Sequence, residues 1–110
     1  MKKISLLILI IFSVNFAFTN IPTQDIPKAI VSSESINAET IQYSFISNYH
    51  IDDYKAPMLE GRMLNRYSEI ISIEINPETQ IITFETLKIN SEKFLEKFVK
   101  HFKYSGYEIN

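Results

Sequence analysis

The chain predicts an α+β domain of the ferredoxin-like kind, a βαββαβ sandwich in which a four-stranded antiparallel sheet carries two helices on one face. Three observations predict it. Two apolar runs with a period of two flank Asn76-Pro77-Glu78-Thr79. A stripe with a period near 3.6 follows from Phe94 to Phe102. A second strand-then-helix pattern precedes them between Thr40 and Tyr67. With 110 residues, 2 Gly and 4 Pro, the chain is long enough for one small core and no more.

The first segment is read as a leader. Lys2 and Lys3 precede an apolar run from Ile4 to about Phe18, interrupted only by Ser5, Ser13 and Asn15. A basic head followed by such a run is a secretory signal, here residues 1–19, with Ala17 or Thr19 as the last residue removed. The run is shorter than the roughly 18 to 20 apolar residues that span a bilayer comfortably. A periplasmic or secreted product follows, with no membrane association once the signal is cleaved. The absence of cysteine excludes a disulfide and lipid attachment through a thiol. Loss of Lys2 and Lys3 takes the formal charge from −2 to −4, and a mildly acidic surface argues against a nucleic-acid partner.

Residues 20–39 read as a linker or N-terminal arm. Pro22, Pro27, Ser32, Ser33 and Ser35 prevent a long helix, while Ile26, Ala29, Ile30 and Val31 offer apolar groups for docking. The domain proper is expected over residues 40–110. Its first strand alternates Ile41, Tyr43 and Phe45 with Gln42 and Ser44, and reads as a central one. A polar loop from Ile51 to Pro57 leads into a helix with Pro57 in its first turn and Leu59, Met63, Leu64 and Tyr67 as its apolar stripe. Gly61 inside that helix costs about 1 kcal/mol relative to alanine.

The hairpin follows, with Ile71, Ile73 and Ile75 on one strand and Ile82 and Phe84 on the other. Asn76 and Pro77 supply the turn chemistry between them. Asn90 or Ser91 is placed to cap the second helix, and Glu92 stands where the helix dipole favours a carboxylate. Phe94, Leu95, Phe98, Val99 and Phe102 form its buried stripe. Gly106 is expected to stop it with a left-handed cap, and Tyr107-Glu108-Ile109 to close the sheet.

From Ile41 to Ile109 the chain resembles a heavy-metal-associated domain, the small ferredoxin-like module of copper chaperones and metal-transporting ATPases. Ser105-Gly106-Tyr107-Glu108-Ile109 is similar to the glycine-tyrosine ending of that family's last strand. The family's G-M-x-C-x-x-C loop falls on His50 to Ala56, with His50 and Ile51 at the glycine and methionine positions. Asp53 and Ala56 take the places of the two cysteines. Cu(I) is held by paired thiolates, so the family's metal transfer does not carry over to an aspartate and an alanine.

The same loop offers a substitute site as an alternative. His50, Asp52 and Asp53 form a donor set suited to Zn²⁺ or Cu²⁺ if they converge, with Met58 and Met63 as thioether donors for copper. The ordinary reading makes His50 a strand-end residue and the aspartates a solvated loop.

His101 with Lys97, Lys100 and Lys103 offers a basic patch for an acidic partner, or a solvated helix face. Glu74 and Glu85 are expected to face each other across the wet side of the hairpin, a poor setting for acid–base work. No Ser, His and Asp are spaced as a nucleophile with its base, and no glycine-rich phosphate loop is present. Six tyrosines combine apolar area with a polar tip, a composition favoured at protein contacts. The expectation is an exported, non-catalytic binding domain with a protein partner and no resident cofactor. A copper- or zinc-binding protein with non-thiol ligands and a small secreted enzyme inhibitor are the alternatives, the latter on fold analogy alone.

Overall fold

A computed structural model describes residues 26–110; the expected leader and the first part of the expected arm lie outside them. The elements are β1 (Ala29–Ser35), β2 (Thr40–Ile46), α1 (Lys55–Arg66), β3 (Ile70–Asn76), β4 (Ile81–Leu87), α2 (Ser91–His101) and β5 (Tyr107–Ile109). The strands form one sheet in the order β3-β4-β2-β1-β5. Three pairings are antiparallel and the β1–β5 pairing is parallel. The domain is therefore α+β with two helices, but its sheet is five-stranded and mixed rather than four-stranded and antiparallel.

The extra strand comes from the expected arm. Ser32–Ser35 pairs with Ile41–Ser44 of β2, and Ala29–Val31 pairs with all of β5. The β1–β2 connection is an Asx turn: Asn37 Oδ1 accepts from the backbone N–H groups of Glu39 and Thr40 at 2.8 and 2.9 Å. Only Ala29 and Val31 of β1 enter the core, so its sequence carries little of the apolar density by which a central strand is recognised. β2, expected to be central, is the middle strand of the five.

In the hairpin, Asn76 Oδ1 accepts from the N–H groups of Glu78 and Thr79, and the Gln80 N–H donates to the Asn76 carbonyl at 2.7 Å. Gln80 takes φ 65°. Its side chain ties the β2–α1 loop to this turn, accepting from Ile51 N–H and donating to Ile51 O, both at 2.8 Å. The expected Ile71-Ile73-Ile75 face is modified by a β-bulge between Ile70 and Ser72. The bulge puts Ile70 and Ile75 into the core, leaves Ile73 partly buried and turns Ile71 outward.

Helix α1 buries Ala56, Leu59 and Met63, with Tyr67 at its C-cap also buried; Leu64, expected on the stripe, is exposed because it falls past the edge of that face. Helix α2 buries its whole expected stripe. Neither expected cap forms at its start. Asn90 is left-handed at φ 62° with no side-chain capping bond, and the buried Ser91 hydroxyl pairs with Tyr43 OH at 2.9 Å.

At the far end Lys103, rather than Gly106, takes the left-handed conformation at φ 72°. Tyr104 N–H returns to the Val99 carbonyl at 3.2 Å and Lys103 N–H to the Lys100 carbonyl at 3.0 Å, a Schellman-type ending with lysine where glycine is usual. Lys103→Gly is expected to stabilise the domain by roughly 0.5 kcal/mol, relief of left-handed strain less the added freedom of the unfolded chain. A higher urea midpoint at unchanged slope would report it.

Both helices and the inner strand face share one core. Its centre is aromatic: Phe98 lies 4.6 Å from Phe84, 5.2 Å from Phe102 and 5.5 Å from Phe94, centroid to centroid. Offset and edge-on rings at such spacings add to the burial energy.

Candidate functional site

Among the described residues the helices leave the other face of the sheet uncovered, and the register places its residues in rows. One row runs Ser72, Glu85, Gln42, Glu34. The next runs Glu74, Thr83, Ser44, Ser32, with the Ser44 and Thr83 hydroxyls 3.1 Å apart. A third runs Asn76, Ile81, Ile46. Ile30 extends this apolar end on β1, two residues from Ser32, and stands opposite Glu108. Ile46 is 58% exposed and Ile30 57%.

Glu34, Glu74, Glu85 and Glu108 are the only charged residues in the five strands, and all four share this face. The helices carry the opposite sign in excess, with Arg62, Arg66, Lys93, Lys97 and Lys100 among their exposed residues. Glu74 and Glu85 stand in neighbouring rows rather than opposite each other, since Glu74 pairs with Thr83 and Glu85 with Ser72.

The loop expected to hold a metal has its aspartates on different tasks. Asp52 Oδ1 accepts from Lys55 N–H at 2.8 Å, and the Asp52 carbonyl accepts from Lys55 and Ala56 N–H at 3.1 and 3.0 Å. Asp52 thereby satisfies the first free donors of α1. His50 and Asp53 are exposed, and Ala56, at the second cysteine position of the resemblance, is buried against the core. Among the described residues no group of three or more His, Cys, Asp or Glu side chains is close enough together to hold a metal ion. Met63 is fully buried and Met58 exposed, so the two thioethers do not join the loop as a pair.

A groove of about 820 Å³ opens at one end of the molecule. It is walled by Ser68, Glu69 and Ile71 before and within β3, by Thr86, Leu87 and Ile89 at the end of β4, and by the outer side of α2. Thr86 Oγ1 donates to the Glu69 carbonyl at 2.8 Å, which fixes the α1–β3 connection against β4. Sequence reasoning missed this groove. The signal available was Ile89, a large apolar residue next to a helix start and outside every apolar stripe.

His101 sits between the helices and is not freely solvated. Its ring packs edge-on to Tyr67 and Phe102, at centroid distances of 6.1 and 5.4 Å. Burial, then the nearby Arg66 and Arg62 guanidinium groups of α1, hold its pKa below the usual histidine value of 6.5; Lys97 and Lys100 flank it on its own helix. The unfolded chain therefore takes up a proton that the folded chain resists. This contribution is complete above about pH 6.5 and is lost as the pH falls through the lowered native value. Thermal midpoints are expected to fall between pH 7 and pH 5, less steeply for His101→Gln. Identical profiles would contradict the assignment.

Of the tyrosines, Tyr43 and Tyr67 are core residues, Tyr49, Tyr104 and Tyr107 are partly buried against the core, and Tyr54 is exposed. Burial raises the pKa of Tyr49, Tyr104 and Tyr107, with Glu92 adding to the rise at Tyr107.

Neither a family model, nor a curated protein, nor a solved structure matches the chain.

Proposed function

We propose that the chain is an exported, non-catalytic binding domain of ferredoxin-like build that docks a protein partner on the open face of its sheet. The observation that carries this reading is the composition of that face. Exposed Ile30, Ile46 and Ile81 form an apolar end, and four glutamates, with no lysine or arginine among the strand residues, carry the charge of the same face. A partner presenting apolar side chains among cations suits it, since apolar burial supplies affinity and opposite charge sets orientation. Export rests on the basic and apolar pattern of the first 19 residues.

The ferredoxin-like assignment is supported by strand order. With β1 set aside, the remaining strands run β3-β4-β2-β5, with helices after β2 and after β4. Strand β1 then enlarges the open face between β2 and β5. Gly106-Tyr107 leading into β5 favours the heavy-metal-associated resemblance at that end, whereas Asp53 and Ala56 give it no thiols for metal transfer.

A photocrosslinking side chain at Ile46 is expected to give one discrete adduct in the native envelope, suppressed by Glu85→Lys. The same group at Leu64, on the helical layer, is expected to give none. Equal labelling from both positions, or from neither, would remove the proposal.

A further inference from the structure

We infer that the groove between α2 and the bulged start of β3 is a second binding site, one that takes an aliphatic monocarboxylate of the fatty-acid class. It lies at the end of the sheet, meets the open face only at its margin through Ile71 and Leu87, and includes none of Ile30, Ile46 and Ile81, so it stands independently of the partner-docking reading.

The apolar part of the site is assembled from three separate pieces of chain, and two of them have an identifiable device that turns a large side chain outward. The bulge between Ile70 and Ser72 re-aims Ile71, which is half exposed in consequence. The turn closed by Ser91 N–H to the Lys88 carbonyl at 3.1 Å, with left-handed Asn90 inside it, leaves Ile89 75% exposed. Leu87, at the end of β4, completes the patch and is also about half exposed. Three aliphatic side chains lining one groove form an exposed apolar patch, the kind of surface that marks a binding site.

The polar part selects the ligand's charge. Three lysines of α2 line the groove. Lys97 is paired with Glu69 at 3.4 Å and Lys100 with Glu96 at 3.3 Å, while Lys93 has no carboxylate within salt-bridge distance among the described residues. The Asn90 amide makes no capping bond and adds a free hydrogen-bonding group beside it. One uncommitted ammonium at the rim of an aliphatic wall matches a ligand with one negative charge and an apolar tail. A dianion such as a phosphate monoester would find one unpaired lysine for two charges, with Glu69 and Glu96 also lining the groove, and a cationic amphiphile would meet the Lys93 ammonium.

The test uses the chain beginning at Asn20, which keeps every residue of the core cluster and removes the apolar run at residues 4–18 that would itself take up lipid. Decanoate, decanol and decylammonium are titrated while the methyl signals of Ile71, Leu87 and Ile89 are followed by NMR. Decanoate is expected to shift these three in a saturable way below about 1 mM and to bind up to about fivefold tighter than decanol. Decylammonium is expected to bind more weakly than decanol. Lys93→Gln, at an exposed position, should erase the preference for decanoate over decanol, and Ile89→Ser should weaken both.

The proposal is overturned by any of three results. These are no saturable shift below about 1 mM, decanol binding as tightly as decanoate, or a preference that survives in Lys93→Gln. Shifts centred on Ile30 and Ile46 would likewise overturn it, by assigning the ligand to the open face. The Ile46 crosslinking result is unaffected in each case.

Discussion

Phe98→Ala is expected to destabilise the domain by about 3–5 kcal/mol, the range for truncating a fully buried aromatic. Phe98 is the ring on which the core converges. Besides Phe84, Phe94 and Phe102, it makes edge-on contacts with Phe45 of β2 at 6.1 Å and Tyr67 at 5.7 Å. Its removal takes contacts from α2, β2, β4 and the end of α1 together, and close-packed neighbours refill such a void only in part. A domain of about 85 residues has a total stability of roughly 4–13 kcal/mol, so the substitution removes a large share of it. The near-ultraviolet dichroism of the tyrosines reports the loss, since the chain has no tryptophan. Phe98→Leu keeps most of the volume and is expected to remain folded. A loss below about 1.5 kcal/mol for the alanine variant would contradict the central place given to this ring.

A chain that begins at Thr40 is expected not to fold, although it contains both helices and four of the five strands. Strand β5 has three residues, and its strand partner is β1. Without β1 it has no strand to join, the Ile41–Ser44 edge of β2 is unpaired, and Ala29 and Val31 leave the core. The Ala29 N–H to Gly106 O and Ser105 N–H to Pro27 O bonds, both 2.9 Å, are lost with them. The chain beginning at Asn20 keeps all of this and is expected to melt as one cooperative unit. Well-dispersed amide signals from the Thr40 chain would show instead that β1 is an accessory and that the sheet closes without it.

The parts of this architecture legible in the sequence are those in which a single face is buried along a whole element. Phe94, Leu95, Phe98, Val99 and Phe102 read as one stripe and are one stripe. The β3–β4 hairpin was visible from Asn76 and Pro77, and the central place of β2 from Tyr43 and Phe45.

What was hidden depends on a partner or on one backbone detail. Strand β1 buries two of its seven residues, because the helical layer covers only its first half, so its serines read as a loop. The bulge at Ile71 adds a single residue that inverts one side chain, and alternation alone could not show it. The left-handed position fell on Lys103 rather than on Gly106, since the chain must turn at once after Phe102 to bring Tyr104 back over Phe45, 6.1 Å from ring to ring. The open face follows from two helices packing on one side of a single sheet. Its uniform charge emerges only when the register brings glutamates from four strands onto one face, and the groove at Ile89 only when three distant segments meet.

The parallel pairing of Ala29–Val31 with Tyr107–Ile109 joins the first and last strands of the described residues. During synthesis that ladder can form only after the last strand has emerged, long after β2, β3 and β4 have met. A ribosome tunnel or translocation pore that still holds Tyr107–Ile109 thus keeps the domain short of its native form with one sheet margin open. The slowest step in refolding is expected to be this closing of Ala29–Val31 upon Tyr107–Ile109.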